Sequence, residues 1–184
     1  HLHRSNALDG DLLVASGPHG LSRLGLALLL SDPLTKTTEL SKTLKTQAIH
    51  AHKRPKPPIE ALQALISCKP QELPWRAAGT DSSDGLLEGI RSLCESSNCQ
   101  AVLLQESLPR ALDWPSGDMW DEFCLNGGED YQLILTLPKD WAEAFSKKFK
   151  SAQIIGFIQK GKPNISWNNL ENINFEQSSL FQHF

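Results

Sequence analysis

Two short acidic segments carry the residue types that could do chemistry in this chain. Asp81-Ser82-Ser83-Asp84-Gly85-Leu86 sets two carboxylates three residues apart with hydroxyls between them, where a weakly strand-like stretch gives way to a helical pattern. Such carboxylates supply the oxygen ligands that hard Mg²⁺ prefers, and a hydroxyl beside the free N–H groups of a helix start can meet a phosphate. Taken alone, the segment reads more readily as a plain N-cap, because Ser and Asp cap helices throughout proteins. Gly127-Gly128-Glu129-Asp130-Tyr131 places two glycines directly before two acids. Backbone can approach a ligand closely there, with Glu129 beside it. An ordinary loop-to-strand turn is the alternative.

The elements around these segments must position them. Asp9-Gly10-Asp11 leads into a buried strand at Leu12-Leu13-Val14-Ala15, ended by Gly17-Pro18-His19-Gly20. Leu21, Leu24 and Leu28 then recur at helical spacing until Asp32-Pro33 breaks the pattern. Leu40, Leu44, Ala48 and Ile49 predict a second helix, and after a corner at Pro55, Pro57 and Pro58 a third runs through Ile59, Leu62, Leu65 and Ile66. Arg76 to Thr80 is the weak strand, and Leu86, Ile90, Leu93 and Cys94 mark the helix after the first acidic segment. Ala101 to Leu104 reads as a strand, Trp120, Phe123 and Cys124 as a short helix, and Tyr131 to Leu137 as the strongest strand. A helix through Trp141, Ala144, Phe145 and Phe149, a strand from Ile154 to Ile158 and another at Ile165-Ser166-Trp167 complete the pattern. Strands and helices mix without strict alternation, which predicts an α+β domain rather than a doubly wound one.

Composition narrows the partners. The chain has 184 residues, 40% hydrophobic and 21% charged, with a net charge of −3; this supports a folded core in a single domain. Its basic residues are scattered apart from His52-Lys53-Arg54-Pro55-Lys56, so there is no broad footprint for nucleic acid. No apolar run approaches the ~20 residues of a membrane span. Cys68, Cys94, Cys99 and Cys124 lack zinc-finger spacing and read as reduced thiols of a cytoplasmic protein. A small molecule is the expected partner.

Taken together, the segments resemble one family. Gly10-Asp11, Gly17-Pro18-His19-Gly20, His52-x-Arg54-Pro55, Asp81-x-Ser83-Asp84-Gly85-Leu86, Gly127-Gly128-Glu129-Asp130-Tyr131-x-Leu133 and Phe181-Gln182-His183-Phe184 follow the order and spacing of the thiamine-monophosphate kinase family. That family is part of the aminoimidazole ribonucleotide synthetase superfamily. The resemblance implies a layered α/β/α domain with a mixed sheet, forming the C-terminal domain (residues 1–184) of a two-domain kinase whose N-terminal ATP-binding domain lies outside this sequence. It further implies ATP as co-substrate, thiamine monophosphate as acceptor, Mg²⁺, and a homodimer of the longer chain.

Role by role, the resemblance makes Asp81 and Asp84 metal ligands, Ser83 an ATP-contacting hydroxyl, and Glu129 and Phe181 contacts to thiamine. The last two suit a cationic, aromatic ligand, although Phe181 is also readable as a hydrophobic anchor for the chain end. Direct phosphoryl transfer depends on positioning and electrostatics, so His19, His50, His52 and His183 read as structural or surface residues. Ser82 departs from the family's usual aliphatic residue and is expected to loosen packing at the strand end; Glu88 stands where Asp is common. The rival functions are a non-catalytic binding module that retains the domain, and another ATP-dependent member of the superfamily.

Overall fold

The computed structural model describes residues 1–169. Strands β1 (Leu12–Ala15), β2 (Ala78–Asp81), β3 (Cys99–Leu103), β4 (Leu133–Leu137), β5 (Gln153–Lys160) and β6 (Asn164–Trp167) form one sheet in the order β2-β4-β1-β5-β3-β6. Neighbours run antiparallel except β3 and β6, which are parallel. The sheet is therefore mixed, as expected.

Strand alternation divides the core between the two faces. Leu13, Ala15 and Ile134 pack with Leu86, Ile90 and Leu93 of α5 (Leu86–Ser97). Val14, Leu135 and Leu137 point the other way, against Leu65 of α4 (Ile59–Ser67) and Trp141 and Phe145 of α7 (Lys139–Lys148). Helices cover both faces, giving the α/β/α layering. Each large side chain so buried contributes about 1.5–3 kcal/mol. The Trp141 indole N–H also donates to the Leu65 carbonyl at 3.0 Å, joining the two outer helices.

A third cluster, beside the sheet, unites α1 (Leu21–Leu29), α3 (Lys42–Lys53) and α6 (Asp118–Asn126) through Leu24, Ala27, Leu44, Ala48, Trp120 and Phe123. Gly25 is required where α1 crosses α3, because a methyl group there would run into the Ala48 carbonyl. That close crossing carries His52, in the last turn of α3, toward the start of α1.

Two local readings change. Asp32-Pro33 ends α1 but also starts a short helix, α2 (Pro33–Thr37): Asp32 accepts the Leu34 amide at 2.9 Å, and Pro33 has a φ suited to a first turn. The strand expected from Tyr131 begins at Leu133, because Tyr131 takes a left-handed φ of 52°. All four cysteines are free thiols. Among the described residues no helix is long and apolar enough to cross a membrane.

Candidate functional site

The sheet order explains why the acidic segments meet. β4 lies between β2 and β1 and runs antiparallel to both, so its start adjoins the ends of those two strands. Registers Asp81↔Leu133 and Ala15↔Ile134 fix the alignment. Three connections therefore converge on one sheet edge: Ser16 to Gly20, Ser82 to Gly85, and Gly127 to Gln132.

Hydrogen bonds knit them together. The Ser82 amide donates to the Gln132 carbonyl at 2.9 Å, and the Gln132 amide donates to Ser82 Oγ at 3.0 Å. On the other side, Ser16 Oγ accepts the Leu133 amide at 2.8 Å and donates to Gln132 Oε1 at 3.0 Å. Ser82 is fully buried. The expectation that it loosens the strand end is overturned: its hydroxyl supplies an acceptor that an aliphatic residue cannot.

Asp81 closes β2 as an exposed carboxylate, and Ser83 Oγ donates to its Oδ1 at 3.3 Å. Asp84 lies exposed in the turn before α5. The Glu129 amide donates to the Ser83 carbonyl at 2.8 Å, joining the two acidic segments directly. Asp81, Ser83, Asp84 and Glu129 thus share one edge of the sheet, whereas Phe181 lies outside the described residues. Glu88 turns to Arg91 at 2.6 Å along α5.

The Glu129 loop is strained and tightly held. Glu129 and Tyr131 have φ of 66° and 52°, conformations that cost on the order of 1–3 kcal/mol each for residues with a Cβ. Between them, buried Asp130 reaches the start of α1, its carboxylate accepting the Gly20 amide at 2.6 Å and the Ser22 amide at 2.9 Å. It is the N-cap of α1 in all but sequence position, since Gly20 has no side chain to offer. Burial raises the Asp130 pKa to about 7, opposed by the backbone N–H groups of Ser22, Gly20 and Leu21. Gly20 itself has a φ of 85°, and a Cβ there would come within 2.7 Å of the Phe123 carbonyl.

His19 and His52 occupy different surroundings. His19 is fully buried, with Nδ1 placed 3.0 Å from the Gly17 carbonyl, and burial lowers its pKa to about 4. Among the described residues its Nε2 has no hydrogen-bond partner, which suits a neutral structural imidazole. His52 is partly exposed, with Nδ1 lying 3.1 Å from Ser22 Oγ and 3.9 Å from Glu129 Oε2. Asp130, Ser22 and His52 acquire these relationships only through folding. The signal available in sequence was their presence within or beside quoted segments, without a role.

Among the described residues no three His, Cys, Asp or Glu side chains gather as a metal cage. Asp81 and Asp84 instead offer two exposed hard carboxylates three residues apart in sequence. That donor set fits Mg²⁺, which commonly binds one or two protein carboxylates together with waters and substrate phosphates.

The profile of the family described as AIR synthase related protein, C-terminal domain, matches residues 9–168. The curated thiamine-monophosphate kinase of Prochlorococcus marinus is 54% identical over 184 residues, covering 100% of this chain and 55% of that protein. Its counterpart from Synechococcus elongatus is 37% identical over 187 residues, covering 100% and 54%. The solved thiamine-monophosphate kinase from Stenotrophomonas maltophilia superposes with a TM-score of 0.74 at 25% identity, covering 94% of this chain and 54% of that one. A structure of AaThiL complexed with AMPPCP and TMP gives 0.74 at 26% identity, covering 100% and 54%. The chain spans about half the length of the curated relatives it matches.

Proposed function

The chain belongs to the AIR synthase related protein family, matching its C-terminal domain, and from that premise we propose that it is the second domain of a cytoplasmic thiamine-monophosphate kinase. The complete enzyme moves the γ-phosphoryl group of ATP to thiamine monophosphate, giving thiamine diphosphate by direct in-line transfer. The observation that carries this reading is the 2.8 Å bond from the Glu129 amide to the Ser83 carbonyl. It joins a candidate phosphate-side segment to a candidate thiamine-side segment on one sheet edge, in a chain 54% identical to a curated thiamine-monophosphate kinase.

In this reading Asp81 and Asp84 hold Mg²⁺, and Ser83 presents its hydroxyl to ATP. When bound, Mg²⁺ neutralises phosphate charge and aligns the displacement. Glu129 meets the cationic end of thiamine, and Phe181 stacks on a ring. An N-terminal domain supplies the remaining nucleotide and metal contacts, and the complete protein works as a homodimer. The present chain alone therefore turns nothing over.

Steady-state kinetics test the assignment. In the complete protein, Asp84→Asn lowers kcat at least tenfold across a magnesium titration while thiamine monophosphate binding changes by less than about threefold, as expected when a lost interaction acts on developing phosphoryl charge. An unchanged kcat would remove Asp84 from the proposed metal site. Turnover of ~1–100 s⁻¹ by this chain alone, in the range of ordinary kinases, would sink the two-domain reading.

A further inference from the structure

Contacts around Glu129 form a closed circuit. The Asp130 carboxylate accepts the Ser22 amide at 2.9 Å, Ser22 Oγ lies 3.1 Å from His52 Nδ1, and His52 Nδ1 lies 3.9 Å from Glu129 Oε2. Since Glu129 and Asp130 are adjacent, the circuit returns to its start. Three elements meet in it: the strained loop before β4, the first turn of α1 and the last turn of α3.

We infer that His52 is a positioning residue for the Glu129 carboxylate; the inference rests on the reading of Glu129 as the thiamine-facing acid. A half-exposed glutamate has several rotamers and loses that freedom on binding. The main chain of Glu129 is already fixed by the Ser83 carbonyl. Among the described residues, the contact to its side-chain carboxylate comes from the His52 ring. His52 is a rigid anchor for two reasons. Gly25 lets α3 seat closely on α1, and the ring meets a hydroxyl whose own residue is pinned by Asp130. The 3.1 Å contact with Ser22 Oγ holds the ring in place, and an N–H dipole at Nδ1 draws the carboxylate electrostatically across 3.9 Å, a separation longer than a hydrogen bond. Contact with Glu129 runs through the same nitrogen that meets Ser22, so the circuit fits orientation rather than a proton relay.

The test uses the complete protein and calorimetric titration of thiamine monophosphate and of ATP, with kcat measured alongside. His52→Ala should weaken thiamine monophosphate binding about tenfold, leaving the ATP Kd and kcat within about twofold. His52→Gln, whose amide can still donate, should recover most of the loss and guards against a folding defect in the alanine variant. In a Glu129→Ala background His52→Ala should add less than about twofold, because coupled residues are not additive. If the two losses multiply, His52 acts independently of Glu129 and the inference is wrong. If Glu129→Ala weakens binding but His52→Ala does not, the inference fails while the thiamine-facing role of Glu129 survives. If Glu129→Ala leaves binding unchanged, the role of Glu129 itself falls, and the inference with it.

Discussion

Asp130 accepts the Gly20 amide at 2.6 Å across 110 residues of chain. A helix start that lacks its own capping side chain has borrowed one from the loop that carries Glu129. The carboxylate is thereby withdrawn from ligand chemistry and made structural, even though it stands in the acidic segment that first draws attention. It also ties the glycine loop after β1 to the site edge, so disturbance of either is felt by the other.

Asp130 and His19 should impose opposite pH dependences. The folded-state pKa of Asp130 is raised from 3.8 to about 7, so its contribution to stability is full below pH ~4 and is lost as pH rises toward 7. That of His19 is lowered from 6.5 to about 4, so its contribution is full above pH 6.5 and is lost as pH falls toward 4. Each limb has a slope of about 1.4 kcal/mol per pH unit, and in the shared window they oppose. Urea melts across that window should show Asp130→Asn gaining stability with rising pH relative to wild type, and His19→Gln losing it. Parallel profiles in all three proteins would refute the pairing.

Arg76 holds a second buried acid, Asp11. Its guanidinium donates to both oxygens of Asp11, at 2.7 Å and 2.6 Å, and Asp11 also accepts the Leu8 amide at 2.9 Å. Arg76→Ala leaves a buried carboxylate without its charge partner and should cost on the order of 3 kcal/mol. Arg76→Lys should recover only part, since an ammonium cannot reproduce the two-pronged geometry. Denaturant melts decide the matter; an alanine variant as stable as wild type would show that Asp11 is adequately solvated.

How much was legible in the sequence follows from what each signal depends on. Strands such as β1 and β4 announced themselves because both of their faces are buried, leaving unbroken apolar runs at Leu12 to Ala15 and Leu133 to Leu137. The helices α1, α3 and α5 were visible through the spacing of Leu24, Leu44 and Ile90. Local pattern failed where backbone conformation overrode residue type: Tyr131 is a good strand former, yet its positive φ delays β4 to Leu133. It failed equally where the partner is remote, as with the Asp130 cap or the Ser22 and His52 contacts, because spacing carries no information about which loops a sheet order brings together. The meeting of the acidic segments at Ser83 and Glu129 became visible only once β4 was placed beside β2.

Ser82 gives the sharpest measure of how polar the site edge must be. Its hydroxyl, fully buried, accepts the Gln132 amide at 3.0 Å while its own amide donates to the Gln132 carbonyl at 2.9 Å. Thr and Val have nearly the same shape and differ in the hydroxyl, so comparing Ser82→Thr with Ser82→Val removes the cost of extra volume and isolates the acceptor. Val leaves the Gln132 amide without its partner, which costs about 1–3 kcal/mol; the Thr variant should be more stable by that amount. For a chain of this size each kcal/mol corresponds to about 2–4 °C in Tm, so thermal melts resolve the difference. The loop should respond too, because Gln132 follows the left-handed Tyr131 and its anchoring helps hold Glu129 in place. Hydrogen exchange at the Glu129 amide should therefore accelerate in the Val variant and stay near wild type in the Thr variant. Coincident melts and unchanged exchange would mean that the hydroxyl is dispensable and that the β2–β4 ladder alone sets the geometry of the site edge.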